Sequence, residues 1–592
     1  MFQIDKRILN FLVIIVLTFI TFWWTFFIFH MPFDLTVVGS VMLIRSIASF
    51  IILKDYSHSW SKASQKTFLI KSFVYSTAFL VYLPLFYTKV RLSFLTSELF
   101  LYLFAINFSM YVYYYIINRS NVAKTKSVVI YGAGKAGIKL ESEFSNTEYK
   151  VKYFVDDEKI IQNRSIDSIK VISKQKLKEI IVGTKLDLLV IAMPSAPKHR
   201  VKEIYDNLND CFKEIQILPF MDDILRDKDF STQLKNISVE DLLARHPKDL
   251  NKTLVENFIK NKTILVTGAG GSIGSEISRQ CERFGAKKLI LLDSSEYNLY
   301  AITEELKKVV VVPVMQNVVN KEFLEETFKT HMPDIVIHAA AYKHVPLVES
   351  NIHEGILNNV IGTKNVIDLS IKYGVKKFVM ISTDKAVRPT NVMGATKRIC
   401  ELYAQNAVSL ENAVSLKNSN GTDIVAVRFG NVLGSSGSVI PKFKSQIEKG
   451  ENITVTHPDI TRYFMLISEA CELVLQAGAI GRGGEIFILD MGEPIKIVDL
   501  AKKMISLSGR EDISIEFTGL RPGEKLYEEL LIDESESKTE YESITVAKPT
   551  LYDIDTLNKD IEELLACANQ LEKLKEIVPE FNHQLNGSVT HL

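Results

Sequence analysis

Residues 381–398 read ISTDKAVRPTNVMGATKR, and Ser382, Thr383, Asp384 and Lys385 stand side by side within them. Hydroxyl, carboxylate and amine in succession can donate, accept and carry protons. The apolar run KFVMI just before them, at 377–381, has strand character, so the group falls where that strand ends. In a parallel α/β sheet, ligands and chemistry collect at the carboxyl ends of strands. Past the turn Arg388-Pro389-Thr390-Asn391, a helical stretch sets Met393 and Lys397 four residues apart on one face.

A binding loop precedes this group. TILVT at 263–267 predicts a strand, after which Gly268-Ala269-Gly270-Gly271-Ser272-Ile273-Gly274 opens a helix. Small residues there let the backbone approach a pyrophosphate, whose charge the helix N-terminus stabilises. The next strand, 288–292, delivers Asp293 with Ser294 beside it. The Asp293 carboxylate suits both adenosine ribose hydroxyls and repels a 2′-phosphate, which favours NAD over NADP. The plainer reading of Asp293 is a strand-end cap. Further strands are predicted at 309–315, 334–338 and 424–428.

Downstream lie FGNVLGSSGSVIPKF at 429–443, Arg462 in ITRYFM, and Arg521 with Glu524 in GLRPGEKLYEEL. Guanidinium forks suit a diphosphate and a carboxylate suits ribose hydroxyls. Either arginine alone could equally sit in a surface ion pair. A second glycine loop, Gly132-Ala133-Gly134-Lys135-Ala136-Gly137, follows the strand SVVIY at 127–131, and a strand at 150–155 ends in Asp156 and Asp157. That pattern predicts a Rossmann-like domain. With no catalytic residues attached, it is a dinucleotide site, an inherited scaffold or a regulatory sensor.

The elements that must carry these groups are unequal. Four apolar stretches, 9–29, 36–53, 67–88 and 94–117, each approach the ~20 residues that cross a hydrocarbon core. Arg45, Lys71 and Glu98 interrupt three of them. Lys71 is expected to snorkel from a segment end, and Arg45 and Glu98 to face other helices. Lys6, Arg7, Lys54, Lys62, Lys66, Arg119, Lys124 and Lys126 flank the ends predicted to be cytoplasmic, so both the N-terminus and everything after residue 119 are expected in the cytoplasm. This part is an anchor, or else a site that engages lipid-linked partners. Net charge is zero, which gives no electrostatic case for nucleic acid. The five cysteines are scattered without a C-x-x-C pair, and no metal constellation stands out.

The glycines at 268, 271 and 274, the strand-end Thr-Asp-Lys and the Met393/Lys397 pair together resemble the extended short-chain dehydrogenase/reductase superfamily. Within it they resemble the membrane-bound UDP-N-acetylglucosamine 4,6-dehydratases. The superfamily places Tyr-x-x-x-Lys where this chain has Met393 and Lys397, so the usual phenolate base is absent. The resemblance implies an α-helical membrane anchor (1–120), then α/β structure: a first Rossmann-like domain (121–220), a helical connector (221–261) and an extended short-chain dehydrogenase domain (262–592). Both α/β domains would be doubly wound parallel sheets, the second with a smaller substrate lobe mainly from 429 onward.

It implies NAD held by the 268–274 loop, Asp293, Ser294, Ala339, Ala340, Ala341, Asn359 and Lys397. It implies chemistry by Thr383, Asp384 and Lys385 beside Met393, with Lys385 removing the C5 proton and Asp384 protonating the departing 6-hydroxyl. For that, the Lys385 pKa must be lowered by burial or a nearby cation. A UDP-N-acetylhexosamine would be bound by His344, Asn431, Val439, Lys442, Arg462, Arg521 and Glu524. The resemblance further implies a multi-pass protein of the bacterial inner membrane, a homo-oligomer, and downstream partners such as an aminotransferase. The rivals are an NAD-dependent C4 epimerase and a non-catalytic nucleotide sensor.

Overall fold

The computed structural model describes residues 6–53, 65–118, 123–145, 147–219, 230, 233–238, 241–242, 250–415, 421–510, 512–530 and 537–583. Lys54, Lys62, Arg119 and the side chains of Lys6 and Arg7, used above for orientation, lie outside these residues, as do 239, 240 and 243–249 of the connector.

Four apolar helices form the first compact unit: α1 (Lys6–Ile28), α2 (Leu35–Ala48), α3 (Gln65–Phe86) and α4 (Leu92–Asn118). Among the described residues three segments are long and apolar enough to cross a membrane: Leu35–Ile52, Lys66–Phe86 and Leu92–Ile116. The apolar part of α1, Leu12–Ile28, is shorter. Asp34 caps α2, its Oδ1 accepting from the Thr36 N–H at 2.8 Å.

The charges interrupting these helices meet inside the unit. Arg45 donates to Glu98 through Nη1 (2.9 Å) and Nη2 (2.6 Å), and both side chains are fully buried. Arg45 Nη2 also donates to the Tyr82 hydroxyl at 2.8 Å, Thr21 Oγ1 donates to Glu98 at 2.7 Å, and the Tyr102 ring centre lies 3.8 Å from the guanidinium carbon. Lys71 corrects the snorkelling expectation: it is buried. Its helix face explains this, because Tyr75, Ala78 and Tyr82 follow at i+4, i+7 and i+11 and are also buried.

In the second unit, a seven-stranded sheet is built from β1 (Lys126–Tyr131), β2 (Tyr149–Val155), β3 (Ser165–Ile166), β4 (Ile169–Ile172), β5 (Leu186–Ile191), β6 (Phe212–Ile217) and β7 (Lys235–Asn236), in the order β3-β4-β2-β1-β5-β6-β7. Helix α5 (Lys135–Phe144) follows the turn at Gly132–Gly134 of the second glycine loop. Asp156 at the end of β2 accepts from the Ala133 N–H of that loop at 2.8 Å.

The larger sheet begins with β8 (Thr263–Thr267), β9 (Lys288–Asp293), β10 (Val310–Met315), β11 (Ile335–His338), β12 (Lys377–Ile381) and β13 (Asp423–Arg428). Their order, β10-β9-β8-β11-β12-β13, is that of a doubly wound nucleotide-binding sheet, continued by a parallel strand at Ile486–Leu489 and two antiparallel ones. The strand order reverses at β8, with β9 and β10 on one side and β11 onward on the other, so a crevice opens at the carboxyl ends of the parallel pair β8 and β11. The fold class read from the sequence, apolar helices followed by Rossmann-like parallel sheets, is the one found.

Helix α6 (Ser272–Arg283) continues the glycine loop at 268–274, α7 (Val392–Ser415) carries Met393 and Lys397, and α8 (Val439–Lys449) opens a lobe with its own core around Ile440, Phe443, Val455 and Leu500. Helix α7 is fixed by charge. Glu401 accepts from Arg428 Nε (3.0 Å) and Nη2 (2.7 Å), from Arg398 Nη1 (3.3 Å) and from Ser382 Oγ (2.7 Å). Burial alone would push the Glu401 carboxyl up; Arg428 and Arg398 outweigh it and hold it below its ordinary value. The helix start also lies hard against the turn after β12, where a Cβ on Gly394 would sit 2.2 Å from the Lys385 carbonyl oxygen.

Two substitutions test this packing. Gly394→Ala forces backbone apart and is expected to destabilise the protein by about 1–3 kcal/mol, read as a lower Tm of the purified chain. Arg45→Met leaves Glu98 buried and uncompensated and is expected to cost about 3–5 kcal/mol. Arg45→Met with Glu98→Leu should recover most of that loss in the same detergent, and no recovery would mean the pair is not what holds these helices.

Candidate active site

The crevice is a cavity of about 870 Å³ walled by three parts of the chain. One wall is the glycine loop, with Gly268, Gly271, Ser272, Ile273 and Gly274 facing the space. Gly268 has φ 64°, and a Cβ on Gly274 would lie 2.1 Å from the Gly268 carbonyl oxygen, so the loop folds tightly onto the start of α6 only without side chains. Across from it, at the end of β11, Ala339 and Ala341 line the cavity while Ala340 does not.

Asp293 and Ser294 lie off the wall. Asp293 Oδ2 accepts from the Gly270 N–H at 2.9 Å and Oδ1 from the Ser295 N–H at 2.8 Å, so in this state it works as the cap that the plainer reading gives it, bracing the glycine loop. Asn359, expected among the cofactor contacts, is fully buried and also off the wall. A π-helical turn at Leu357–Ile361 turns it inward, where its amide spans the Tyr342 backbone (2.8 and 3.1 Å) and Thr396 Oγ1 (3.1 Å). It ties a cavity-lining segment to the residue before Lys397. His338, beneath the loop, is pinned between Thr267 (2.8 Å) and Thr363 (2.9 Å). Burial, and then the Lys397 cation, lower its pKa to about 3, so it stays a neutral imidazole.

Thr383, Lys385, Met393 and Lys397 share the second wall. Asp384 is fully buried and reaches the cavity only through its neighbours. Its Oδ1 accepts from Thr383 Oγ1 at 2.8 Å and from Lys385 Nζ at 2.9 Å. Its Oδ2 has no hydrogen-bond partner among the described residues and faces Gly430, where a Cβ would come within 3.2 Å. The turn explains the burial. A 3₁₀ segment, Asp384–Ala386, packs under the 429–431 loop, and the Asp384 N–H donates to the Phe429 carbonyl at 3.0 Å.

Lys385 overturns an expectation. Burial pulls its pKa down, but Asp384 and then Glu528 outweigh burial and the Arg462 cation, and the net direction is up. The ammonium is therefore held charged. Glu528, which sequence reasoning did not single out, lies 3.5 Å from Lys385 Nζ and 3.7 Å from Arg462 Nε.

The third wall comes from the lobe: Asn431, Val439, Lys442, Arg462, Arg521 and Glu524, with His344 opposite. Asn431 Oδ1 accepts from Lys385 Nζ at 3.2 Å, which places it at the chemical group. Arg462 lies 3.5 Å from Glu524, and the Arg521 N–H donates to Glu524 at 3.1 Å. Burial and the Arg521 cation lower the Lys442 pKa, and burial and Lys343 lower that of His344. Lys442, Arg462 and Arg521 thus line the same cavity as Thr383 and Lys385.

Comparison with known proteins agrees with this arrangement. Residues 264–549 match the family model described as polysaccharide biosynthesis protein. The chain is 43% identical over 570 residues to the capsular polysaccharide biosynthesis protein CapD of Staphylococcus aureus, covering 91% of this chain and 93% of that one. It is 45% identical over 426 residues to the probable polysaccharide biosynthesis protein EpsC of Bacillus subtilis, covering 70% of each. A UDP-glucose 4-epimerase of Rickettsia canadensis is 35% identical over 288 residues, 47% of this chain and 80% of that one. The match to CapD, at 43% identity along 93% of that protein, places this chain in the polysaccharide biosynthesis protein family.

Proposed function

We propose that the protein is an NAD-dependent UDP-N-acetylglucosamine 4,6-dehydratase whose product is a UDP-2-acetamido-2,6-dideoxy-4-keto-hexose. The observation that carries this is the hydrogen-bonded Thr383–Asp384–Lys385 group beside a thioether, in one cavity with Arg462 and Arg521. A guanidinium-rich end suits the diphosphate, and the N-acetylhexosamine is the sugar that the family resemblance implies.

The glycine cradle fits a dinucleotide, since side chains at 268 or 274 would fill it with atoms. Gly268, Gly271, Ser272, Ile273 and Gly274 would hold the pyrophosphate, Asp293 and Ser294 the adenosine ribose, and Lys397 the nicotinamide ribose, with Ala339 to Ala341 leaving room. When bound, NAD supplies hydride acceptance from C4 and its return to C6.

The chain's own residues move the protons. Met393 has none to exchange. Thr383 Oγ1, on the wall and bonded to Asp384, receives the 4-hydroxyl proton and passes its own to Asp384. That neutralises the carboxylate that does most to raise the Lys385 pKa, so burial counts for more and the ammonium gives a proton up to solvent, leaving an amine. The amine removes the C5 hydrogen, acidified by the 4-ketone. Asp384, now an acid, gives its proton through Thr383 to the departing 6-hydroxyl, and Lys385 returns a proton to C5. One water leaves, Lys385 regains from solvent the proton it gave up, and both groups end as the ion pair they began as.

The Rickettsia relative favours a second reading, a C4 epimerase acting on a UDP-N-acetylhexosamine. Met393 weighs against it, because an epimerase moves the 4-hydroxyl proton twice and normally does so with a tyrosine. The apolar helices support a multi-pass protein of the bacterial inner membrane with the catalytic domain in the cytoplasm. A homo-oligomer, and an aminotransferase consuming the 4-ketone, complete the proposal.

The detergent-solubilised full chain, given UDP-N-acetylglucosamine in deuterated water, is expected to form a sugar nucleotide lacking one water and carrying one deuterium at C5. Formation of UDP-N-acetylgalactosamine at unchanged mass would make it an epimerase instead. Lys385→Ala is expected to lower turnover by about 10²–10⁴-fold while NAD still binds. Normal turnover by that variant would remove Lys385 from the mechanism.

A further inference from the structure

Glu528 is buried at 3% side-chain exposure, beside a neighbour with a different fate. Glu529, at 43% exposure, faces outward and pairs with Arg388 and Lys525. Both ion-pair partners of Glu528 among the described residues, Lys385 and Arg462, belong to the cavity. Its Oε2 is buried with no hydrogen-bond partner among the described residues, and the side chain does not line the cavity. Burying a carboxylate in this way is costly and gives nothing to packing that an apolar residue would not give better. It is accounted for if the charge serves the site.

We propose that Glu528 is a positioning residue, which holds Lys385 from behind the cavity wall and links it to the substrate-gripping Arg462. Its meaning for catalysis rests on the dehydratase reading. The groups facing the Lys385 ammonium are Asp384 from its own turn, Asn431 from the strand after β13, Arg462 from the lobe, and Glu528. Asp384 loses its charge when it takes the 4-hydroxyl proton. Glu528 then remains as the carboxylate that opposes burial and Arg462. Without it the amine would be released at a lower pH, and it would be a weaker base for the C5 hydrogen and a poorer holder of the proton that C5 must regain. Through Arg462, the same carboxylate places the base relative to the diphosphate end.

The test reads Lys385 directly and needs no turnover. The full chain in detergent is labelled briefly with acetic anhydride across a pH series, and peptide mass spectrometry compares Lys385 with Lys444, which is 73% exposed. Glu528→Gln removes the charge at nearly constant shape. Because it lowers the Lys385 pKa, labelling of Lys385 relative to Lys444 near neutral pH is expected to rise about tenfold or more. Glu528→Asp, which keeps the charge, should stay near the parent protein; a purely packing role would make the shorter Asp the worse of the two.

Arg462→Gln, the converse variant, should lower Lys385 labelling, and it keeps the test decisive if Glu528→Gln does not accumulate. Unchanged Lys385 labelling in the folded variants overturns the assignment. If turnover is found, the acid limb of kcat/KM in Glu528→Gln should move to lower pH, because less of the amine is protonated at a given pH. Labelling that responds in a protein forming no keto sugar would sink the dehydratase reading and leave Glu528 in place. Turnover with unresponsive labelling would do the reverse.

Discussion

Everything at the site depends on Glu401 lying between Arg428 and Arg398. These charges come from the end of β13 and from α7, and Ser382, at the end of β12, donates to the same carboxylate. Two strand ends and one helix are thereby keyed to a single buried anion. Because α7 carries Met393 and Lys397 while Ser382 leads into Thr383, the lock sets how these two cavity-lining segments meet. Hydrophobic packing alone would let α7 slide or rotate at small cost. A bidentate guanidinium–carboxylate pair in a low-dielectric interior tolerates much less. Gly394 then permits the close approach that the lock imposes.

The site itself alternates in sign, running from Asp384 through Lys385, Glu528 and Arg462 to Glu524. Each cation lies between anions, so a change of charge at one member is felt at the next. This is a different use of buried charge from the Glu401 lock. There each carboxylate oxygen has hydrogen-bond partners; here Asp384 Oδ2 and Glu528 Oε2 have none among the described residues. A saturated network holds geometry, whereas an unsaturated one keeps capacity to accept a proton or respond to a neighbour.

Much of this was legible because it was local. The glycine loops, the strand-end Thr-Asp-Lys and the Met393/Lys397 spacing are short strings whose consequences follow from strand and helix periods. What was missed depends on which way a side chain faces once distant segments meet. In EKLYEEL nothing local decides that Glu528 turns in and Glu529 out. Asn359 lies in a π-turn that shifts the helix phase and swings the amide toward Thr396, and sequence periodicity assumes no such turn. Lys71 stood near a segment end by counting, but the buried face of α3 through Tyr75 and Ala78 decides its burial. The rise in the Lys385 pKa has the same origin: Asp384 and Glu528 together outweigh burial and Arg462, and nothing local in the sequence brings Glu528 to Lys385.

In the dehydratase reading we propose, Met393 at the position where the superfamily it resembles has a tyrosine acquires a physical sense. A phenolate beside Lys397 would put a second strong proton acceptor on the wall that also carries Thr383, and the 4-hydroxyl proton would have two destinations. With a thioether there, Thr383 offers the route to Asp384, and the proton taken up at Asp384 is what loosens Lys385. Oxidation and elimination are then coupled through one carboxylate, because the first step creates both the acid and the base that the second requires. An epimerase gains nothing from such coupling, since it returns the proton to where it came from. On that reading, the buried Asp384–Lys385 pair and the missing phenol are two sides of one constraint.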